Sequence, residues 1–257
     1  MTSVIGYLGK EDSFRPRSTY AQVKRYVRGH CDGASAPAAP RVARYHRAVA
    51  GPRCSNGTPS GSRRIGLLGG TFDPPHHGHL EAARTALDAL ELDVVVLVVA
   101  NDPWQKTAGG QVVTPAEVRL AMVRAAADGM VRIEVDDLEI RRGGPSYTAD
   151  TVAKYAQRGP DDQLFVLVGS DIAPGLDAWE RPDEIRGHAT IVVMDRPGHI
   201  GVRPPSGWDY VVLKGTFPDL TGTDLRAMVE AGGTAASAVP EVVARLIEDH
   251  DLYETCR

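Results

Sequence analysis

Residues 93–100 read DVVVLVVA, and this run restricts the fold more than any other part of the chain. Its β-branched side chains favour extended backbone, and it lacks the polar and apolar alternation of a strand with one wet face. A strand that is apolar on both sides is buried on both sides, as in a parallel sheet covered by helices above and below. It is far too short to span a membrane. Similar runs occur at 64–68 (RIGLL), 131–135, 164–168 (LFVLV), 190–194 (TIVVM) and 210–213. Helical patterns lie between them. Leu80, Ala83, Leu87 and Leu90 form one apolar face, and Thr114-Pro115-Ala116-Glu117 predicts a capping box for a helix running to about Asp128. Helices are also expected over 147–157 and 240–250. Strand and helix in alternation predict a doubly wound, mostly parallel α/β domain of Rossmann-like type, with its ligand crevice beyond the carboxyl ends of the strands.

Charge divides the chain. Residues 1–62 hold ten Lys/Arg against three Asp/Glu, and the remainder holds nineteen against thirty, so a net charge of −4 conceals a basic head and an acidic body. The head, rich in Gly, Pro and Ser towards its end, predicts an unstructured extension, with the folded domain over 63–257. An acidic body argues against a nucleic-acid partner. Three scattered cysteines, Cys31, Cys54 and Cys256, make neither a disulfide framework nor a zinc site, which together with the absence of a signal-type or membrane-spanning segment predicts a cytoplasmic protein. The sequence does not set the oligomeric state.

Residues 69–79, GGTFDPPHHGH, fall between the first strand and the first helix, where such a fold places its main ligand loop. Gly69-Gly70 permits close backbone approach, and Pro74-Pro75 stiffens the entry to the helix. The helix start presents free N–H groups suited to phosphate. His76 and His79, three residues apart, can lie side by side there as donors, and Gly78 leaves room for a nucleotide against the helix. A zinc site from His76, His77 and His79 has no Cys or HExxH partner nearby, and plain cap histidines leave the two glycines and two prolines unexplained. Phosphate handling accounts for the whole motif.

This motif resembles the HxGH signature of the nucleotidylyltransferase superfamily. The resemblance narrows to the bacterial nicotinate-nucleotide adenylyltransferases through an ordered set of segments from about Arg64 to Tyr253: NDPWQK at 101–106, GGPSYTADT at 143–151, GSD at 169–171 with Trp179 downstream, and LTGTDLR at 220–226. It implies transfer of AMP from ATP to nicotinate mononucleotide, giving deamido-NAD and pyrophosphate, with Mg²⁺ arriving on ATP. The first motif alone equally permits another phosphate acceptor such as phosphopantetheine, and a weakly active nucleotide-binding regulator remains the rival from outside enzymes.

The resemblance assigns catalytic roles to His76, His79, Lys106 and Arg226. ATP phosphates fall to Gly69, Gly70, Thr71, Phe72, Gly78, Thr221 and Thr223. The acceptor nucleotide falls to Tyr147, Thr148, Gly169, Asp171, Trp179 and Trp104. Tyr147-Thr148 opens a helix whose N–H groups and hydroxyl suit a carboxylate, Trp179 can stack on a pyridine ring, and Asp171 can accept from ribose hydroxyls. The family segment before the arginine carries two serines and a threonine, whereas this chain has Thr221, Gly222 and Thr223, so Gly222 is expected to loosen the phosphate-contacting turn.

Overall fold

The computed structural model describes residues 61–254. The expected basic extension, but for its last two residues, and all three cysteines lie outside the described residues. Six strands, β1 (Arg64–Gly70), β2 (Val94–Val99), β3 (Ile133–Asp136), β4 (Gln163–Gly169), β5 (Ala189–Met194) and β6 (Tyr210–Leu213), form one sheet. Every neighbouring pair is parallel, in the order β3-β2-β1-β4-β5-β6. The helices are α1 (His77–Ala89), α2 (Trp104–Thr107), α3 (Ala116–Ala127), α4 (Leu138–Arg142), α5 (Thr148–Arg158), α6 (Pro182–His188), α7 (Gly222–Glu230) and α8 (Glu241–Glu248).

The both-sided apolarity of the second strand has its cause in the two cores. Val95, Leu97 and Val99 face a core shared with α1, α3, α7 and α8, while Val96 and Val98 face one shared with α5 and α6. Successive side chains of a strand point to opposite faces, so covering both faces requires apolar residues at every position.

Several local expectations change. Thr114 forms no capping box: α3 begins at Ala116 with no side-chain cap, and the Thr114 N–H instead donates to Asp73 Oδ2 at 3.0 Å. The third strand starts at Ile133, because Val131 is exposed and Arg132 takes a positive φ of 60°. The two short helices α2 and α4, the 3-10 turn Ala173–Ala178 and α6 were not legible, being shorter than the window over which periodicity declares itself. His250, two residues beyond α8, is buried.

The strand order reverses direction between β1 and β4, where a doubly wound sheet places its ligand. Pairing there runs from Arg64 with Gln163 only to Leu67 with Val166. Beyond that point 68–70 stay paired to β2 and 167–169 to β5. The sheet therefore splits at its carboxyl edge, and a cleft opens in the split.

Candidate functional site

The cleft has a volume of about 540 Å³. Its floor is the split itself, with Gly69 and Gly70 on one side and Gly169 on the other. A side chain at Gly69 would project into open space, so the floor there is bare backbone available to a ligand. A side chain at Gly169 would collide with the Asp171 carboxylate and the Arg196 stem.

One wall is the amino end of α1. His76 and His79 stack with ring centroids 3.7 Å apart at an interplanar angle of 26°, and Phe72 meets the His79 ring edge-on at 4.7 Å. The His76 N–H donates to His79 Nδ1 at 3.2 Å, which leaves the His79 proton on Nε2 as a donor. Gly78 is needed beside them, since a Cβ there would press on the His76 ring at 3.1 Å. Burial, then Arg196 and His77, pulls the His76 imidazole down to about 4. His79 lies well below its ordinary value for the same leading cause, helped by His76, Arg196 and Lys106. Both rings are neutral at neutral pH, so they act as hydrogen-bonding groups and not as cations. His77 is exposed, so the three histidines do not converge on one point.

The rim beyond β2 carries Trp104 and Lys106 on α2. Desolvation, followed by repulsion from Arg226, lowers the Lys106 ammonium from its ordinary value. The opposite wall is Tyr147 and Thr148 at the start of α5, with Trp104 6.1 Å from Tyr147 between ring centroids. Tyr147 is the N-cap and makes no side-chain cap, so the first-turn N–H groups of α5 are open to a ligand. Beneath them Glu139, buried at 6% exposure, accepts from Thr151 Oγ1 at 2.6 Å and from Ser146. Asp171 and Trp179 close the far end, where Asp171 lies 3.5 Å from Arg196.

Three of the expected residues stand differently. Phe72 is buried and does not itself line the cleft, so it can meet a ligand only through the backbone that follows the cleft-lining Thr71. Arg226 does not line the cleft; its guanidinium donates to the Asp73 carbonyl at 2.7 Å and to Thr223 Oγ1 at 3.4 Å. Thr221 lines the cleft, but its hydroxyl is engaged as the cap of α7, accepting from the Asp224 N–H at 3.1 Å and donating to the Asp224 carboxylate. Gly222 does not loosen this turn. A Cβ there would sit 2.6 Å from the Asp73 carbonyl oxygen, so glycine allows α7 to dock directly on the histidine loop.

Sequence reasoning missed three residues. Arg196 lines the cleft and reaches both histidines electrostatically. Asp73, 3% exposed, accepts from the Thr114 N–H and from Tyr253 Oη at 2.8 Å. Arg119, 1% exposed, donates to the carbonyls of Thr71, Asn101 and Thr114. Asp73 stands inside the 69–79 motif but acts through partners far along the chain, no local pattern marks Arg196, and an arginine inside the apolar face of α3 was a visible anomaly.

Known proteins match the chain in sequence and in fold. The cytidylyltransferase-like family model matches residues 67–228. A probable nicotinate-nucleotide adenylyltransferase of Gemmatimonas aurantiaca is 40% identical over 197 residues, covering 74% of this chain and 92% of that protein. One of Methylibium petroleiphilum is 39% identical over 203 residues, covering 76% and 94%. Among solved structures, the Plasmodium falciparum nicotinic acid mononucleotide adenylyltransferase complexed with NaAD superposes with a TM-score of 0.63 at 14% identity, over 74% of this chain and 97% of that one, a likeness of fold. Since curated relatives at this identity are matched over nearly their whole length, the chain belongs to the nicotinate-nucleotide adenylyltransferase family of cytidylyltransferase-like proteins.

Proposed function

We infer that this protein transfers AMP from ATP to nicotinate mononucleotide, forming deamido-NAD and pyrophosphate. The observation that carries the reading is the stacked, neutral pair His76 and His79 at the amino end of α1, beside a cleft opened by the divergence of β1 and β4. A phosphate oxygen of the acceptor attacks the α-phosphorus of ATP. The new P–O bond forms as the bond to the bridging oxygen breaks, and pyrophosphate carries away the electron pair. No side chain needs to bond to phosphorus, so the rate comes from alignment and from stabilising charge on the transferring and leaving phosphates.

We assign those tasks as follows. His79 donates from Nε2 and His76 lies against it, together with the N–H groups of the histidine loop and of the α1 start around Gly78. Gly69, Gly70 and Thr71 offer backbone to the phosphates, and Lys106 and Arg196 supply positive charge at the cleft. Thr223 lines the cleft, and Arg226, held on the Asp73 carbonyl and on Thr223 Oγ1, acts from behind the loop. The start of α5, Tyr147 and Thr148, holds the acceptor's carboxylate; Trp179 and Trp104 flank its ring, and Asp171 accepts from ribose. Mg²⁺ enters with ATP, coordinated by phosphate oxygens and water. No helix among the described residues is long and apolar enough to cross a membrane. Residues 1–62 form an extension outside the catalytic domain, 63–257.

Pyrophosphate release from purified protein with ATP, Mg²⁺ and nicotinate mononucleotide tests the reading. Acceptor-dependent release is expected; none at all refutes it.

A further inference from the structure

We propose that Arg119 is a positioning residue for phosphate transfer: it fixes the turn at 70–72 so that the Phe72 amide faces the phosphates. The proposal rests on the adenylyl-transfer reading for its chemistry and on the geometry of α3 for its structure. Arg119 sits in the first turns of that helix among Val118, Leu120, Ala121 and Met122, all buried, and is itself 1% exposed. An arginine is kept in such surroundings only where its donors are satisfied. Its Nε donates to the Thr114 carbonyl at 2.7 Å, Nη1 to the Thr71 carbonyl at 2.6 Å and Nη2 to the Asn101 carbonyl at 3.0 Å. Thr71 follows β1, Asn101 follows β2 and Thr114 precedes α3, so one guanidinium ties three segments at the carboxyl edge of the sheet.

The bond to Thr71 determines more than one atom. The peptide joining Thr71 to Phe72 is trans and planar, so a carbonyl held inward by Arg119 turns the N–H of Phe72 the opposite way. That N–H has no hydrogen-bond partner among the described residues, while Thr71 itself lines the cleft. Phe72 also has a φ of 51°, in the left-handed region that a bulky residue seldom occupies without outside restraint. Three carbonyls in three directions match the planar fork of arginine; a single ammonium cannot reach them all. The amide is thus set before charge develops on the phosphate.

Two measurements test the assignment. In isotope-labelled wild-type protein, titration with magnesium pyrophosphate is expected to move the Phe72 amide resonance, a readout that needs no turnover. In Arg119→Lys and Arg119→Met, assayed where circular dichroism shows them folded, pyrophosphate affinity is expected to fall by about tenfold and kcat by about 100-fold, the scale of losing one preorganised donor. KM for nicotinate mononucleotide is expected to change by less than about threefold, because the acceptor's ring-side contacts are untouched. A Phe72 resonance indifferent to pyrophosphate overturns the proposal, as does a folded Arg119→Lys protein with wild-type affinity and kcat. If the resonance moves but the wild type shows no acceptor-dependent turnover, the transfer reading has failed and the positioning of the amide stands.

Discussion

At the scale of single residues, the histidine loop shows how burial sets chemistry. The His76 ring is 6% exposed and held to about 4, against 6.5 for a free imidazole. The unfolded chain therefore takes up a proton below pH 6.5 that the folded chain refuses until about pH 4, and stability falls across that window. The loss is about 3 kcal/mol when fully developed. Glu139, whose carboxyl is raised by burial, works in the opposite sense as the folded state gains its proton early. Comparison of wild type with His76→Asn isolates the histidine: urea unfolding of the wild type should weaken from pH 6.5 to 4, and the variant should weaken less. Equal slopes would mean that the imidazole is solvated after all. Gly222 makes the converse point about reading residues by type. Its missing hydroxyl suggested a looser phosphate turn, yet the backbone contact with Asp73 reveals a steric requirement that no single sequence displays. Gly222→Ser, which restores the family's hydroxyl, should therefore destabilise by about 1–3 kcal/mol without raising kcat, since backbone and not a mobile side chain must give way. Thermal melts and steady-state rates decide it; a faster, equally stable variant would restore the earlier interpretation.

At the scale of elements, the start of α5 is positioned by its neighbours more than by its own cap. Asn101 donates through its N–H to Ser146 Oγ at 2.9 Å and through Nδ2 to the Gly144 carbonyl at 2.8 Å, and the Ser146 N–H donates to the Asp102 carbonyl at 2.9 Å. The end of β2 is thereby laced to the loop before α5, and Glu139 secures the same segment from below through Ser146 and Thr151. The helix start is held rigid while its own first-turn N–H groups remain free. That arrangement predicts selectivity for a carboxylate over a carboxamide. Thr148→Val removes one donor to the charged group, a loss of about 1.5–3 kcal/mol, so kcat/KM for nicotinate mononucleotide should drop by about tenfold or more. Turnover of nicotinamide mononucleotide should stay within about twofold. A parallel loss with both acceptors would place the carboxylate elsewhere. The sequence revealed α1, α3, α5 and α8 because each has an apolar face repeated over two turns or more, and it revealed all six strands. It did not reveal α2, α4 or α6, each seven residues or fewer, because their bounds are set by tertiary contacts. The site divides in the same way. Histidines, paired glycines and a helix start are chemically conspicuous, whereas Arg119 and Asp73 act through partners far along the chain.

At the scale of the whole molecule, the described chain closes on its own phosphate loop. Tyr253, past the last helix, donates to Asp73 Oδ1 at 2.8 Å across a sequence separation of 180 residues. Asp73 also accepts from the Thr114 N–H, and the Asp73 carbonyl receives Arg226 from α7. The loop after β1 is thus gripped by α3, α7 and the segment after α8, three parts of one core that come together only when folding is complete. Burial and the Asp73 carboxylate push the Tyr253 phenol well above its ordinary value, so it stays a donor throughout the physiological range. Tyr253→Phe keeps the ring and its packing but leaves a carboxylate that is 3% exposed with one partner fewer, at a cost of about 1–3 kcal/mol. Because Asp73 lies three residues before His76 in a loop stiffened by Pro74 and Pro75, the loss should reach the reaction as well as the fold. Expected is a lower unfolding midpoint together with a fall in kcat per folded molecule, read from calorimetry and pyrophosphate release on the same sample. A lower midpoint with unchanged kcat would show that Tyr253 supports only the core, and that Thr114, Arg119 and Arg226 suffice to hold the loop in place.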